Sequence, residues 1–297
     1  MKKGSSTMFA YSSRPPDPAL VGEKWREMWL ERLRNEPLLI CDWLKHPTRD
    51  DYWKHGSICE DPGRVEAAVL AVGGWGDAYS NAVPRMLGRL TAPRRGIVGP
   101  WLHKYPHFAV PGPAIGFLQD CLRWWDRWLK GVENGIDKEP MVRLWLQDHA
   151  APAAQQTERP GRWIAEEAWP SATISERTYG LDAGAGLVDG TGTGEAMVAT
   201  DLTVGVLTGE WNPHGIGPEL PLDQRPDDAL SVLFDSAVLA EDLAIVGLPR
   251  VRLSLRSDKS VATITARLES VAPDGASALV TWGCLNLTHR DSHDVPE

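Results

Sequence analysis

The stretch Ala67-Ala68-Val69-Leu70-Ala71-Val72-Gly73-Gly74-Trp75-Gly76-Asp77 decides how this chain is read. Its first six residues form an unbroken apolar run, the pattern of a strand buried on both faces. Glycines around Trp75 then break the run, and a carboxylate follows at Asp77. The same grammar recurs downstream. Gly96-Ile97-Val98 reads as a short apolar strand, and Gly99-Pro100-Trp101-Leu102-His103 places an imidazole just past its end.

Two loops at the ends of neighbouring strands thus deliver Asp77 first and His103 second. Either residue alone reads as structural: a loop-capping aspartate, a hydrogen-bonding histidine. Together they fit one chemistry. An imidazole that gains and loses a proton near neutral pH needs a carboxylate to fix its tautomer and stabilise the imidazolium. Acid before base is also the chain order of the last two members of an α/β-hydrolase triad, whose serine comes earlier. The glycine–serine pairs before Asp77 are Gly4-Ser5 and Gly56-Ser57. Neither follows an apolar strand, and neither has a glycine two or three residues on. The expected nucleophile is therefore not found in these residues.

The bulk numbers are those of an ordinary globular protein. The chain has 297 residues, room for about two domains, with 42% hydrophobic and 24% charged residues and a formal net charge of −9. No block of Lys or Arg stands out, which argues against nucleic-acid and anionic-membrane partners. Cys41, Cys59, Cys121 and Cys284 are scattered without a Cys-x-x-Cys spacing, so no zinc site or disulfide framework is expected. Met1-Lys2-Lys3 leads into polar residues rather than an apolar core, and no long apolar run follows. A leaderless cytoplasmic protein is the expectation.

Three regions follow from the patterning. Residues 1–66 read as helical, with Trp25, Met28, Trp29 and Leu33 at helical spacing, a second helical piece at Leu38–Leu44, and the polar Asp50-Asp51 turn. Residues 67–148 alternate strands with helices, which argues for a parallel sheet. Strands are expected at Ala67–Val72, Arg95–Val98 and Met141–Leu146. A helix is expected from Asn81 to about Leu90, with Pro84 in its first turn. A second is expected over Phe117–Lys130, stopped by Gly131, with Leu118, Leu122, Trp125 and Leu129 as its apolar stripe. Arg123 and Asp126 on that helix read as a surface ion pair. Residues 149–297 open with a polar stretch, Pro152 to Pro160, and then show alternating strands at Val251–Leu255, Ala262–Leu268 and Ala278–Trp282. Pro273-Asp274-Gly275 is a hairpin turn between the last two. This is a β-sandwich pattern that ends short of a jelly roll's eight or so strands.

These residues resemble the CocE/NonD family of hydrolases, which includes cocaine esterase, X-Pro dipeptidyl-peptidases and α-amino-acid ester hydrolases. The resemblance rests on Gly74-Trp75-Gly76-Asp77, on Gly99-Pro100-Trp101-Leu102-His103 and on the run Leu122-Arg123-Trp124-Trp125-Asp126-Arg127-Trp128-Leu129-Lys130-Gly131. It continues through Asn134-Gly135-Ile136, Trp163, Trp169-Pro170 and the Pro273-Asp274-Gly275 hairpin. It implies a helical cap remnant over 1–66, the second half of an α/β-hydrolase core over 67–148, and a jelly-roll-like β-sandwich over 149–297. It implies Asp77 as triad acid and His103 as triad base, with the serine-bearing half of the core absent.

Several further residues admit two readings. Trp75 and Trp101 either line an acyl pocket, as substrate-binding residues, or pack in the core. His107 follows His103 by four, but Pro106 between them argues against a shared helical face and against a metal pair. The expected reaction is acyl transfer from an ester or amide to water, without cofactor or metal. The expected partners are a small-molecule ester, amide or peptide substrate, and either a separately encoded N-terminal half or a second copy of the chain. The alternative is a non-catalytic β-sandwich binding or assembly module attached to an inactive hydrolase remnant.

Overall fold

The computed structural model describes residues 2–297; Met1, where the leaderless reading began, lies outside them. The chain divides into two compact units.

Among the described residues, the first unit joins residues 2–60 with residues 259–263 and 285–297. It is helical: α1 (Lys2–Ser12), α2 (Pro18–Val21), α3 (Trp25–Asn35), α4 (Leu39–Lys45) and α5 (Asp51–Lys54). Asp17 caps α2 by accepting the Ala19 N–H, and Asp50 caps α5 by accepting the Tyr52 N–H. The Asp50-Asp51 pair is thus the start of a helix rather than a bare turn. Tryptophans do the packing: Trp25 stacks on Trp29, and Trp43 lies against Trp53. The chain's last residues are tied in through Asp294, which pairs with Arg49 at 3.1 Å and Lys54 at 2.6 Å.

The second unit holds the sheet. Strands β1 (Val69–Gly74), β2 (Arg94–Gly99), β3 (Val142–Gln147) and β4 (Gly161–Glu166) lie in that order, with β1 at one edge. β1, β2 and β3 are parallel, as the alternation of strands and helices predicts; β4 adds antiparallel to β3. Sequence reading missed β4, because its apolar residues Trp163 and Ile164 are adjacent rather than alternating. Helix α6 (Ala82–Leu87) covers one sheet face, Val83 and Leu87 packing on Ala71, Val98, Val142 and Leu144. Asn81 precedes it without capping it through its side chain. Ile97 and Trp101 anchor the other face, with Leu70, Val72 and Trp163 around them.

Helix α7 (Phe117–Lys130) occupies the predicted residues, and Gly131 ends it at φ 71°. Its orientation overturns the expectation. Trp124 is the buried residue, 2% exposed, whereas Leu118, Leu122, Trp125 and Leu129 all face outward. Ion pairs fix this rotation. Asp120 pairs with Arg143 of β3, and Arg123 pairs with Glu139. The expected Arg123–Asp126 pair does not form; Asp126 takes Lys130 at 2.7 Å instead.

Beyond β4, the region read as a sandwich carries two two-stranded sheets, β5 (Tyr179–Asp182) with β6 (Gly186–Asp189), and β7 (Thr263–Val271) with β8 (Ser277–Asn286). Pro273-Asp274-Gly275 joins the second pair as expected. Between β6 and β7 lie a 3-10 turn (Val206–Thr208) and the short helix α8 (Arg225–Asp228), in otherwise irregular chain. The strand expected at Val251–Leu255 does not form. Val251, Leu253 and Leu255 are exposed, and alternation alone makes no strand without a neighbouring backbone to pair with.

Candidate active site

Parallel pairing sets the site. β1 and β2 run side by side from Val69↔Arg94 to Gly74↔Gly99, so their C-terminal ends open onto the same edge of the sheet. The two following loops then bond to each other. The Trp75 N–H donates to Gly99 O at 2.9 Å, and the Gly76 N–H donates to Trp101 O at 3.1 Å. Such close approach needs glycine: a Cβ at Gly76 would lie 2.4 Å from the Leu102 side chain.

Asp77 and His103 meet at the junction of these loops. Asp77 Oδ2 lies 2.8 Å from His103 Nδ1. The other carboxylate oxygen accepts the Tyr79 N–H at 3.0 Å, which fixes the carboxylate's orientation. Asp77 is the better covered partner, its side chain 13% exposed against 43% for His103. A carboxylate on Nδ1 leaves Nε2 as the imidazole's free face. This is the arrangement a general base needs: one nitrogen oriented, the other available.

Two more rings stand beside His103. Tyr79 lies 5.8 Å away, tilted by 53°, and His214 lies 5.1 Å away, edge to face at 81°. The His103 N–H donates to Pro213 O at 2.9 Å. The turn that brings these residues in is held by Glu219, which accepts the N–H groups of His214 at 3.1 Å and Ile216 at 3.0 Å. Burial pushes the Glu219 carboxyl up, but the N–H groups of His214, Ile216 and Gly215 outweigh it and hold it below the usual carboxylate range. Sequence reasoning missed this turn. Asn212-Pro213-His214-Gly215 carries ordinary turn signals, and nothing in them points to a loop so distant along the chain.

The structure places the other candidate residues elsewhere. Trp101 is fully buried, its indole N–H on Pro113 O at 2.9 Å, and offers a ligand no surface. Trp75 donates to Trp145 O at 2.7 Å and packs on the α6-side core. Trp101 packs in the core, and Trp75, partly exposed, packs beside Val83 and Leu87. His107 stacks on Phe117 and meets Phe108 edge-on. Ser57, in the helical unit, hydrogen-bonds to Cys59 Sγ at 2.9 Å.

Comparison with known proteins agrees with the residues that carry the resemblance. Residues 134–297 match the family model of the X-Pro dipeptidyl-peptidase C-terminal non-catalytic domain. Residues 2–105 match that of X-Pro dipeptidyl-peptidase, S15 family. The chain belongs to the CocE/NonD family of hydrolases, together with the X-Pro dipeptidyl-peptidases. Among curated relatives, a candidate serine esterase of Mycobacterium bovis is 29% identical over 261 residues, covering 83% of this chain and 38% of the relative. The cocaine esterase of a Rhodococcus species is 24% identical over 283 residues, covering 86% and 47%. The chain thus spans less than half the length of these relatives. Among solved structures, an aminopeptidase from a Thaumarchaeota archaeon aligns with a TM-score of 0.52 at 14% identity, covering 91% of this chain and 49% of that one, a likeness of fold. Among the described residues, no helix is long and apolar enough to cross a membrane.

Proposed function

We propose that this chain carries the acid–base half of a serine-hydrolase active site, with Asp77 as orienting acid and His103 as general base. The observation that carries the reading is the 2.8 Å contact between Asp77 and His103 Nδ1 at the ends of two paired parallel strands. In the full reaction a serine Oγ attacks an ester or amide carbonyl while His103 Nε2 takes its proton. His103 then returns that proton to the leaving group. Water repeats the sequence to release the acid. The nucleophile comes from polypeptide outside these residues, and no cofactor takes part. In this reading residues 1–66 are a cap region, 67–148 the second half of the hydrolase core, and 149–297 the sandwich domain.

Two surfaces support a protein partner. β1 is an edge strand with an apolar sequence, the kind of edge that seeks a neighbour. The outward stripe of α7 exposes four large apolar side chains on one helix. A separately encoded N-terminal half, or a second copy, would cover them.

Activated-ester turnover tests the reading. The isolated chain should neither hydrolyse p-nitrophenyl acetate nor react with a fluorophosphonate. Co-expression with the polypeptide encoded immediately upstream should give both activities, and His103→Ala should abolish the hydrolysis. Turnover by the 297-residue chain alone, lost on His103→Ala, would overturn the proposal and make Ser57 the first nucleophile to test.

A further inference from the structure

We propose that the turn Asn212–Glu219, although it lies within the part of the chain that matches a non-catalytic domain, belongs to the site: His214 and Glu219 are positioning residues for the His103 imidazole. The inference rests on the reading of Asp77 and His103 given above and extends it to a segment to which nothing in that reading assigns a role.

An imidazole with 43% of its side chain exposed has few neighbours to restrict it. Asp77 fixes one ring nitrogen, but one hydrogen bond leaves the ring free to swing about it. The loop itself is long and irregular between β2 and α7, pinned near His103 by the Leu102 N–H on Val110 O at 3.1 Å. The turn supplies the missing constraints. Pro213 O accepts the His103 N–H, which holds the backbone. His214 stands edge to face against the ring at 5.1 Å, an orientation that aromatic quadrupoles favour.

The turn is itself built to be rigid. The Glu219 carboxylate gathers the N–H groups of His214 and Ile216, and the Glu219 carbonyl accepts the Glu210 N–H at 2.9 Å, closing the loop at its base. Gly215, at φ 66°, lets the chain reverse against Leu102 and Val110. Asn212 Nδ2 lies 3.4 Å from His214 Nε2.

NMR on the uniformly 15N-labelled 297-residue chain tests this directly. Two signals are read: the His103 Nδ1 proton on Asp77, and hydrogen exchange of the His103 backbone amide. His214→Ala and Glu219→Gln should speed that exchange about tenfold, the effect of losing roughly one bracing hydrogen bond, and should broaden the Nδ1 proton. His214→Phe keeps an edge-to-face ring and should restore both. Exchange at Val72 and Val98, inside the sheet, should be unchanged throughout. Wild-type exchange and an unbroadened Nδ1 proton in His214→Ala would overturn the proposal. So would failure of His214→Phe to restore them, which would leave the turn a mere packing element. Asp77→Asn separates the two readings. If it leaves the Nδ1 proton untouched, the Asp77–His103 assignment fails, while the amide exchange still decides the role of the turn.

Discussion

A Cβ at Gly74 would lie 2.0 Å from the carbonyl oxygen of Trp101, so the loops bearing Asp77 and His103 touch backbone to backbone. No side-chain rearrangement can relieve that contact, because the atom in the way belongs to the main chain. Gly74→Ala should therefore destabilise the sheet unit by about 3 kcal/mol or more, the upper end of overpacking costs. Gly63→Ala, whose nearest atom would be 3.4 Å away on a side chain, is the matched control. Urea denaturation of the two variants compares them, and equal midpoints would refute the argument.

Arg95 is 3% exposed on β2 and pairs with Glu139, which also pairs with Arg123. Burial raises the Glu139 carboxyl, but the two guanidiniums outweigh it and hold the carboxyl below its usual range. Arg95 Nε and Nη1 have no partner. Removing the carboxylate leaves a buried cation bare; removing the cation leaves Glu139 with Arg123. Glu139→Gln should accordingly cost about 2–3 kcal/mol, somewhat below fully buried pairs because Glu139 is partly solvated. Arg95→Met should cost under about 1 kcal/mol. Denaturation midpoints in the reverse order would show that the pair is not limited by desolvation.

Asp182 closes the β5–β6 hairpin. It accepts from the Thr193 hydroxyl and from the N–H groups of Gly184, Thr193 and Ala185, which lower its carboxyl to about 2. Its folded-state pKa lies below the ordinary value of 3.8, so its stabilisation is complete above about pH 4. That stabilisation fades as the pH falls towards 2. Protection of the Gly184, Ala185 and Thr193 amides, as exchange relative to the unstructured rate at each pH, should fall over that interval in wild type. In Asp182→Asn that protection should be low already at neutral pH and change little with acid. Wild-type protection that does not change with pH would contradict the assignment.

Asp77→Asn tests the proposed chemistry once turnover is reconstituted with a nucleophile-bearing partner. An amide facing Nδ1 favours the wrong imidazole tautomer, and in serine-protease triads that exchange costs about 10⁴-fold in kcat. A comparable fall in kcat with little change in KM is the expected outcome, measured by steady-state ester hydrolysis. A fall below tenfold would show that Asp77 does not orient the base.

Much of the site was legible along the chain because its two halves obey local rules. An apolar run followed by glycine and a polar residue reads as strand and loop wherever it occurs, and the run at 67–77 and that at 96–103 do so independently. α7 was legible for the same reason in its extent, from Phe117 to the left-handed Gly131. Its facing was not. Periodicity finds an apolar stripe but cannot say whether anything covers it, and here Asp120 and Arg123 turn Trp124 inward and leave the stripe outside.

The sequence by itself determined the parallel strand–helix core, its family, and the identity and order of Asp77 and His103, because these follow from periodicity and short motifs. Only the tertiary structure decided the rest. It withheld a strand from Val251–Leu255, buried Trp101 completely, added β4 to the sheet edge, and set His214 against His103. Each of these depends on which backbone lies beside which. Pairing and burial are contacts between distant segments, so no local pattern contains them.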